Sequence, residues 1–277
     1  MSTLVRLIFR TLARWPLRAL HALGVALGWL TWALSPRYRQ RLHAHAALAG
    51  LTTAQTRAAV GEAGKLVAEL PRLWLGAPVP VRWRGVEHID AALAAGDGLL
   101  FLTPHLGCFE ITAQAYAARH GAARPMTVLY RPARQPWLTD LVAGARARPG
   151  LRTAPTTLAG VKQLLKALKA GEAVGLLPDQ VPPQGQGVWV PFFGRPAYTM
   201  TLSARLAQAG RVRVLLSWGE RLPRGAGYVV HVRPLGATLP DDPVAAATAI
   251  NEAMAALVRE SPAQYLWSYD RYKPPRA

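Results

Sequence analysis

The sequence predicts an α/β fold: a mixed, mostly parallel central sheet flanked by helices, with an N-terminal membrane-associating helix ahead of it. Three observations predict this. Two continuous apolar runs, Gly-Leu-Leu-Phe-Leu-Thr over 98–103 and Ala-Val-Gly-Leu-Leu over 173–177, read as strands buried on both faces, as at the centre of a parallel sheet. Helical stretches alternate with the strands, which places helices on the faces of the sheet. The first 36 residues have a basic and apolar pattern of their own, which divides the chain into an anchor over 1–36 and a second domain over 37–277.

Taken in order, Arg6, Arg10, Arg14 and Arg18 recur every four residues and form one drifting stripe on a helix, with Leu4, Leu7, Ile8, Leu12 and Trp15 over much of the remainder. Pro16 restarts the helix. From 19 to 36 there is no formal charge apart from a possible proton on His21. Eighteen helical residues reach roughly 27 Å, just under the ~30 Å hydrocarbon core, and Trp29 and Trp32 suit an interfacial belt. An interfacial or barely spanning helix competes here with a buried core helix. A cleaved signal peptide fits less well, because Pro36 follows Ala33-Leu34-Ser35 directly. Arginines on both sides of the apolar run put the body of the protein in the cytoplasm.

Helices follow over 37–50 and 52–75, the second capped by Thr52-Thr53, and Ala77-Pro78-Val79-Pro80 ends it. A short strand covers 81–84 and a short helix 86–95. After the strand at 98–103 come a helix over 106–118, a strand over 126–130 and a helix over 135–147. An amphipathic helix covers 156–170, then the strand at 173–177. A proline- and glycine-rich loop leads to a helix over 200–209. The strands 212–218 and 228–232 form a hairpin through Pro223-Arg224-Gly225-Ala226-Gly227. A helix over 241–259 closes the chain, started by Asp241-Asp242-Pro243.

Composition narrows the function. The 277 residues are 51% hydrophobic and 17% charged, which excludes a disordered polyelectrolyte, and the scattered charges and prolines exclude a polytopic transporter. One cysteine excludes an intramolecular disulfide and a thiolate zinc site, and fits a reducing compartment. The net charge is +18, carried by 28 arginines and five lysines. Guanidinium forks bind phosphate and carboxylate bidentately, so the partner classes are nucleic acid, an anionic membrane or an acidic protein. A compositional bias toward arginine is the bland alternative. No nucleic-acid module is recognisable, and an apolar N-terminus serves no purpose in one.

Three segments carry candidate chemistry. The first is Thr103-Pro104-His105-Leu106-Gly107-Cys108-Phe109-Glu110, at the carboxyl end of a central strand, where open α/β sheets place their sites. On one continuous helix His105 and Glu110 would lie about 140° apart. They meet if His105 sits in the turn before the helix and Glu110 on the helix. A carboxylate behind an imidazole fixes its tautomer, and His105 then removes a proton from an alcohol. Alone, the spacing reads equally as a capping or core histidine. Cys108 as a thiolate nucleophile competes with a buried cysteine filling the core, the better reading. The second segment is Tyr130-Arg131-Pro132, where Arg131 is either a phosphate or carbonyl ligand or a surface arginine. The third is Leu177-Pro178-Asp179-Gln180 with the block Gly187-Val-Trp-Val-Pro-Phe-Phe-Gly194 and Arg195-Pro196-Ala197. Phe192 and Phe193 there either line an apolar slot or plug a proline-ordered turn.

In their order, the strand followed by HLGCFE, then LYRP, LPDQ, GVWVPFFGRPA and the C-terminal PAQYLWSYDRYK, these segments resemble the bacterial lipid A biosynthesis acyltransferases, late acyltransferases of the lauroyl and myristoyl type within the lysophospholipid acyltransferase superfamily. The likeness runs from the basic N-terminus to Lys273. Members often carry Asn-Trp-Glu where this chain has Cys108-Phe109-Glu110. The resemblance implies that His105 and Glu110 are the catalytic dyad and that Arg131, Asp179, Gln180, Phe193 and Gly194 bind substrate. It implies a fatty acyl chain passed from acyl carrier protein to a hydroxyl of a phosphorylated lipid A precursor, by direct attack on the thioester, at the cytoplasmic face of the inner membrane. No cofactor beyond the carrier thioester and no metal is expected, and nucleic acid is not a partner. A different membrane glycolipid or lysophospholipid acceptor, or acyl-CoA as donor, is the alternative. Lys162, Lys166 and Lys169 form a stripe that can dock the acidic carrier, or is simply the solvated face of its helix.

Overall fold

A computed structural model describes residues 2–130 and 148–276. The chain opens with α1 (Ser2–Leu12), α2 (Leu17–Leu34) and α3 (Pro36–Leu48), followed by α4 (Thr53–Ala68) and α5 (Leu70–Leu75). Thr52 and Gln55 form a reciprocal capping box at the start of α4, as the sequence implies. The helix expected over 52–75 divides at Glu69, because Pro71 lacks the N–H a continuous helix needs and sits instead in the first turn of α5. Next come β1 (Val81–Arg84), α6 (Glu87–Ala94), β2 (Gly98–Leu102), α7 (Phe109–His120), β3 (Met126–Tyr130) and β4 (Leu151–Pro155). α8 (Leu158–Lys169) and β5 (Ala173–Leu176) lead to a hairpin of β6 (Gly187–Phe192) and β7 (Arg195–Met200). The chain ends through α9 (Leu202–Ala207), β8 (Val212–Arg221), β9 (Tyr228–Pro234) and α10 (Pro243–Glu260).

Seven strands form one sheet in the order β1-β9-β8-β2-β5-β3-β4. Every neighbouring pair is parallel except β8 with β9, so the fold is the mostly parallel α/β sheet expected. Two cores cover its faces. Leu100, Leu102, Val174 and Leu176 pack with α8 and α10 on one side. Leu99, Phe101 and Ala173 pack with α6 and α7 on the other.

Two features depart from the sequence reading. β4 was not anticipated; its outward residues Arg152 and Thr153 are exposed, so it lacks the continuous apolar signature of β2 and β5. β6 and β7 pair over the stretch read as a loop. Pro191 lies opposite Pro196 in that hairpin, and a two-stranded ribbon tolerates residues that cannot donate where a central strand would not. Phe193 and Gly194 turn it, both with positive φ (48° and 76°), as a tight two-residue turn requires. The helix expected over 135–147 lies outside the described residues.

α2 packs on α4 through small residues. A Cβ on Gly64 would stand 1.9 Å from the Gly24 carbonyl oxygen, and one on Gly28 would stand 2.2 Å from that of Val60. Leu17, Leu20 and His21 on the same side are buried. The opposite side leaves Leu27, Trp29, Leu30 and Leu34 exposed, as are Leu4, Leu7 and Ile8 on α1. By length and composition α2 is apolar enough to cross a membrane.

Candidate active site

The site begins with register. β2 and β5 are parallel neighbours, and Leu102 lies beside Leu176. Each strand continues through one residue and a proline, so three residues past each reference point the chain presents His105 from β2 and Asp179 from β5. Pro104 and Pro178 end the ladder in both places, because neither can donate to it. The two side chains therefore meet at the carboxyl edge of the sheet.

Asp179 holds His105 twice. The His105 backbone N–H donates to Asp179 Oδ2 at 2.8 Å, and the ring Nδ1–H donates to Oδ1 at 2.7 Å. Asp179 is 2% exposed. Its burial opposes ionisation, but the His105 charge, these two hydrogen bonds and the Arg271 charge outweigh that, and the carboxyl stays below its ordinary value. With Nδ1 protonated toward Asp179, Nε2 carries the lone pair. The Gln180 amide donates to it at 2.9 Å. The imidazole also stands edge-on to Phe109, with ring centroids 4.8 Å apart.

The sequence reading put Glu110 behind the imidazole. In the structure Asp179 occupies that position. Glu110 lies on the first turn of α7 and accepts from the Trp74 indole N–H at 3.4 Å; its charge also acts on Arg148. The reason is where α7 starts. His105–Cys108 form a turn, not helix: Gly107 takes φ +59° with its N–H on the Gln264 carbonyl, and Cys108 N–H bonds the Gly219 carbonyl. A side chain at 107 would collide with Gly219 O at 2.0 Å, so glycine is needed there. That turn points His105 across the sheet edge toward β5 and leaves Glu110 facing α5. The signal for Asp179 was in the sequence: two buried strands each ending in a proline followed by a titratable residue. Without knowing that β2 and β5 are neighbours, nothing joined them.

The turn is clamped from two sides. Leu266 N–H bonds the His105 carbonyl. Arg221 Nη2 donates to the Gly107 carbonyl at 2.8 Å and to Glu69 Oε1 at 2.7 Å. Glu69 is fully buried and also accepts from the Tyr228 hydroxyl and from His21 of α2. Burial works against its charge, yet Arg221 and His21 hold its pKa at about 2. Cys108, 0% exposed, has its thiol pushed far up by burial and then by the Glu69 charge, which leaves it no thiolate character.

Of the remaining predicted site residues, Gln180 is at His105. Phe193 is in the β6–β7 turn, packed on Trp267 with ring centroids 5.5 Å apart and under the Arg259 guanidinium, and Gly194 is exposed beside it. Arg131 lies outside the described residues. Lys162, Lys166 and Lys169 are exposed along α8. No group of three or more metal-binding side chains occurs among the described residues.

Next to the imidazole lies an apolar cleft between α7 and the sheet. Thr103, Phe109 and Glu110 stand at the His105 end, and Phe101, Tyr116, Met126, Val128 and Gly175 are among its lining residues. The cavity volume is about 60 Å³, several times the ~10–15 Å³ that one water needs.

Known proteins are similar to this chain over much of its length. A lipid A biosynthesis acyltransferase of Haemophilus influenzae is 29% identical over 66% of this chain and 56% of its own length. The lipid A biosynthesis lauroyltransferase of Escherichia coli is 29% identical over 69% of this chain and 62% of its own. The palmitoleoyltransferase of Escherichia coli is 26% identical over 76% and 68%. The chain thus spans a little over half the length of the first two relatives. The family model for bacterial lipid A biosynthesis acyltransferases matches residues 4–274, and the chain belongs to that family.

Proposed function

We propose that this protein transfers a fatty acyl chain from an acyl carrier protein thioester to a hydroxyl of a phosphorylated lipid A precursor. The observation that carries the reading is His105: oriented by a buried carboxylate at Nδ1, with Nε2 held by the Gln180 amide and the ring against Phe109, which lines an apolar cleft at the carboxyl edge of the sheet. The acceptor hydroxyl displaces the Gln180 amide and donates to Nε2. As that nitrogen takes the proton, the hydroxyl oxygen attacks the thioester carbonyl. The carbon–sulfur bond then breaks and the imidazolium returns its proton to the leaving thiolate. Asp179 keeps the ring in the productive tautomer and offsets the charge that forms; such assistance is worth about 10²–10⁴ in rate. Glu110 fixes the first turn of α7 against Trp74, at the mouth of the cleft. The names of the relatives specify lauroyl and palmitoleoyl groups, and a cleft of apolar side chains suits an acyl chain of that class.

The enzyme works from the cytoplasmic face of the inner membrane. Because one side of α2 is packed on α4, the arrangement favours an interfacial helix, with the exposed leucines and Trp29 in the lipid and the arginines of α1 at anionic headgroups. The lysines of α8 face the acidic carrier. Purified protein is incubated with labelled acyl carrier protein or acyl-CoA and, separately, lipid A precursor, lysophospholipid or water. Product on the lipid A precursor from the carrier is expected. Equal transfer to a lysophospholipid, or release of free acid alone, overturns the acceptor assignment.

A further inference from the structure

Gly175 sits in the middle of β5 with ordinary extended backbone, for its φ is not among the positive ones. It makes no turn. A glycine inside a strand weakens it and marks a place where a side chain would be in the way. Register puts Gly175 between Phe101 of β2 and Val128 of β3, and all three line the cleft beneath α7. A Cβ on Gly175 would stand 3.0 Å from Val128 Cγ1 and 3.5 Å from the Met126 sulfur. A larger group must displace those two side chains or project into the cleft that they line. Gly175 lies four residues before Asp179, about 13 Å back along the strand, well below the reacting atoms.

We propose that Gly175 determines the length of acyl chain the enzyme accepts, by leaving open the floor of the cleft between Phe101 and Val128. This rests on the reading of the cleft as the acyl slot. The chain enters past Thr103 and Phe109 and runs down the sheet toward Met126 and Tyr116. A side chain at 175 stops it partway.

The test compares wild type, Gly175→Ala, Gly175→Val and Met126→Ala with acyl carrier protein loaded with saturated chains from octanoyl to hexadecanoyl. Pocket complementarity discriminates single methylenes by about tenfold or more. Gly175→Val is expected to lower the ratio of kcat/KM for the longest to the shortest chain by at least about tenfold, Gly175→Ala by less. Val128→Ala added to Gly175→Ala restores the ratio. Thermal melting is read alongside, and if Gly175→Val does not fold, the alanine series carries the test. An equal loss at every chain length overturns the proposal. If the Gly175 variants leave the ratio unchanged while Met126→Ala shifts it, Gly175 is not the determinant but the slot stands. If Met126→Ala also leaves it unchanged while transfer persists, the slot reading itself fails.

Discussion

Among the described residues, two buried carboxylates each accept a hydrogen bond from a histidine, and only one of the two belongs to a site. Glu69 is met by Arg221 through Nε and Nη2, by the Tyr228 hydroxyl and by His21. Its oxygens are saturated, and His21 is itself buried between α2 and the sheet. Asp179 is as deep, but its histidine is not: the His105 side chain is 13% exposed, and its second nitrogen is held only by an amide. A carboxylate–imidazole pair therefore says little by itself. What makes it reactive is an outward nitrogen whose present partner a substrate can replace. The Glu69 pair instead braces the turn that aims His105, because Arg221 bridges Glu69 and the Gly107 carbonyl.

The sharpest test of this contrast is His105→Ala, expected to remove about 10²–10⁴ of the transfer rate; it also leaves the buried Asp179 without its ring partner, so the melting temperature falls as well. His21→Ala should do the reverse, costing stability more than rate. Asp179→Asn should approach the His105→Ala loss by releasing the ring tautomer. ¹⁵N NMR of the imidazole should show the Nδ1–H form in wild type and in Glu110→Gln and lose it in Asp179→Asn. Its loss in Glu110→Gln alone would return the orienting role to Glu110.

Glu69→Gln should cost about 3–5 kcal/mol of stability, because it leaves the buried Arg221 with only Glu62, at 3.4 Å, as a counterion. The same carboxylate predicts an acid response. Its folded pKa of about 2 lies below the ordinary 4.5, so the stability it contributes is complete above about pH 4.5 and is lost as pH falls toward 2. Asp179, also depressed, acts with the same sign. Acid melts of wild type and Glu69→Gln should therefore converge as pH falls through that window; parallel curves would refute the assignment. The smallest effect belongs to Cys108→Ala, which should keep transfer within about twofold and cost about 1 kcal/mol. Abolished turnover there would revive a thiol mechanism.

Much of this was legible in the chain itself. The apolar runs at 98–103 and 173–177, the restart at Pro16, the cap at Thr52 and the hairpin around 223–227 follow from local chemistry: periodicity, proline's missing donor and the hydrogen bonds of a cap. The strands whose identity depends on a partner were not. β4 is half exposed, and β6 and β7 carry prolines, so each became a strand only through what it pairs with. His105 was visible as a candidate because it follows a buried strand by two residues. Its orienting partner was not, because spacing along the chain pointed to Glu110, five residues on, and not to Asp179, 74 residues on.

Sequence alone determined the α/β class, the basic apolar opening and the histidine at a strand exit, since each is written in contiguous residues. Tertiary structure decided which carboxylate stands behind that histidine, that α2 lies against α4, and that a cleft runs over Gly175. These depend on strand order, register and the meeting of surfaces, which arise only when distant segments come together.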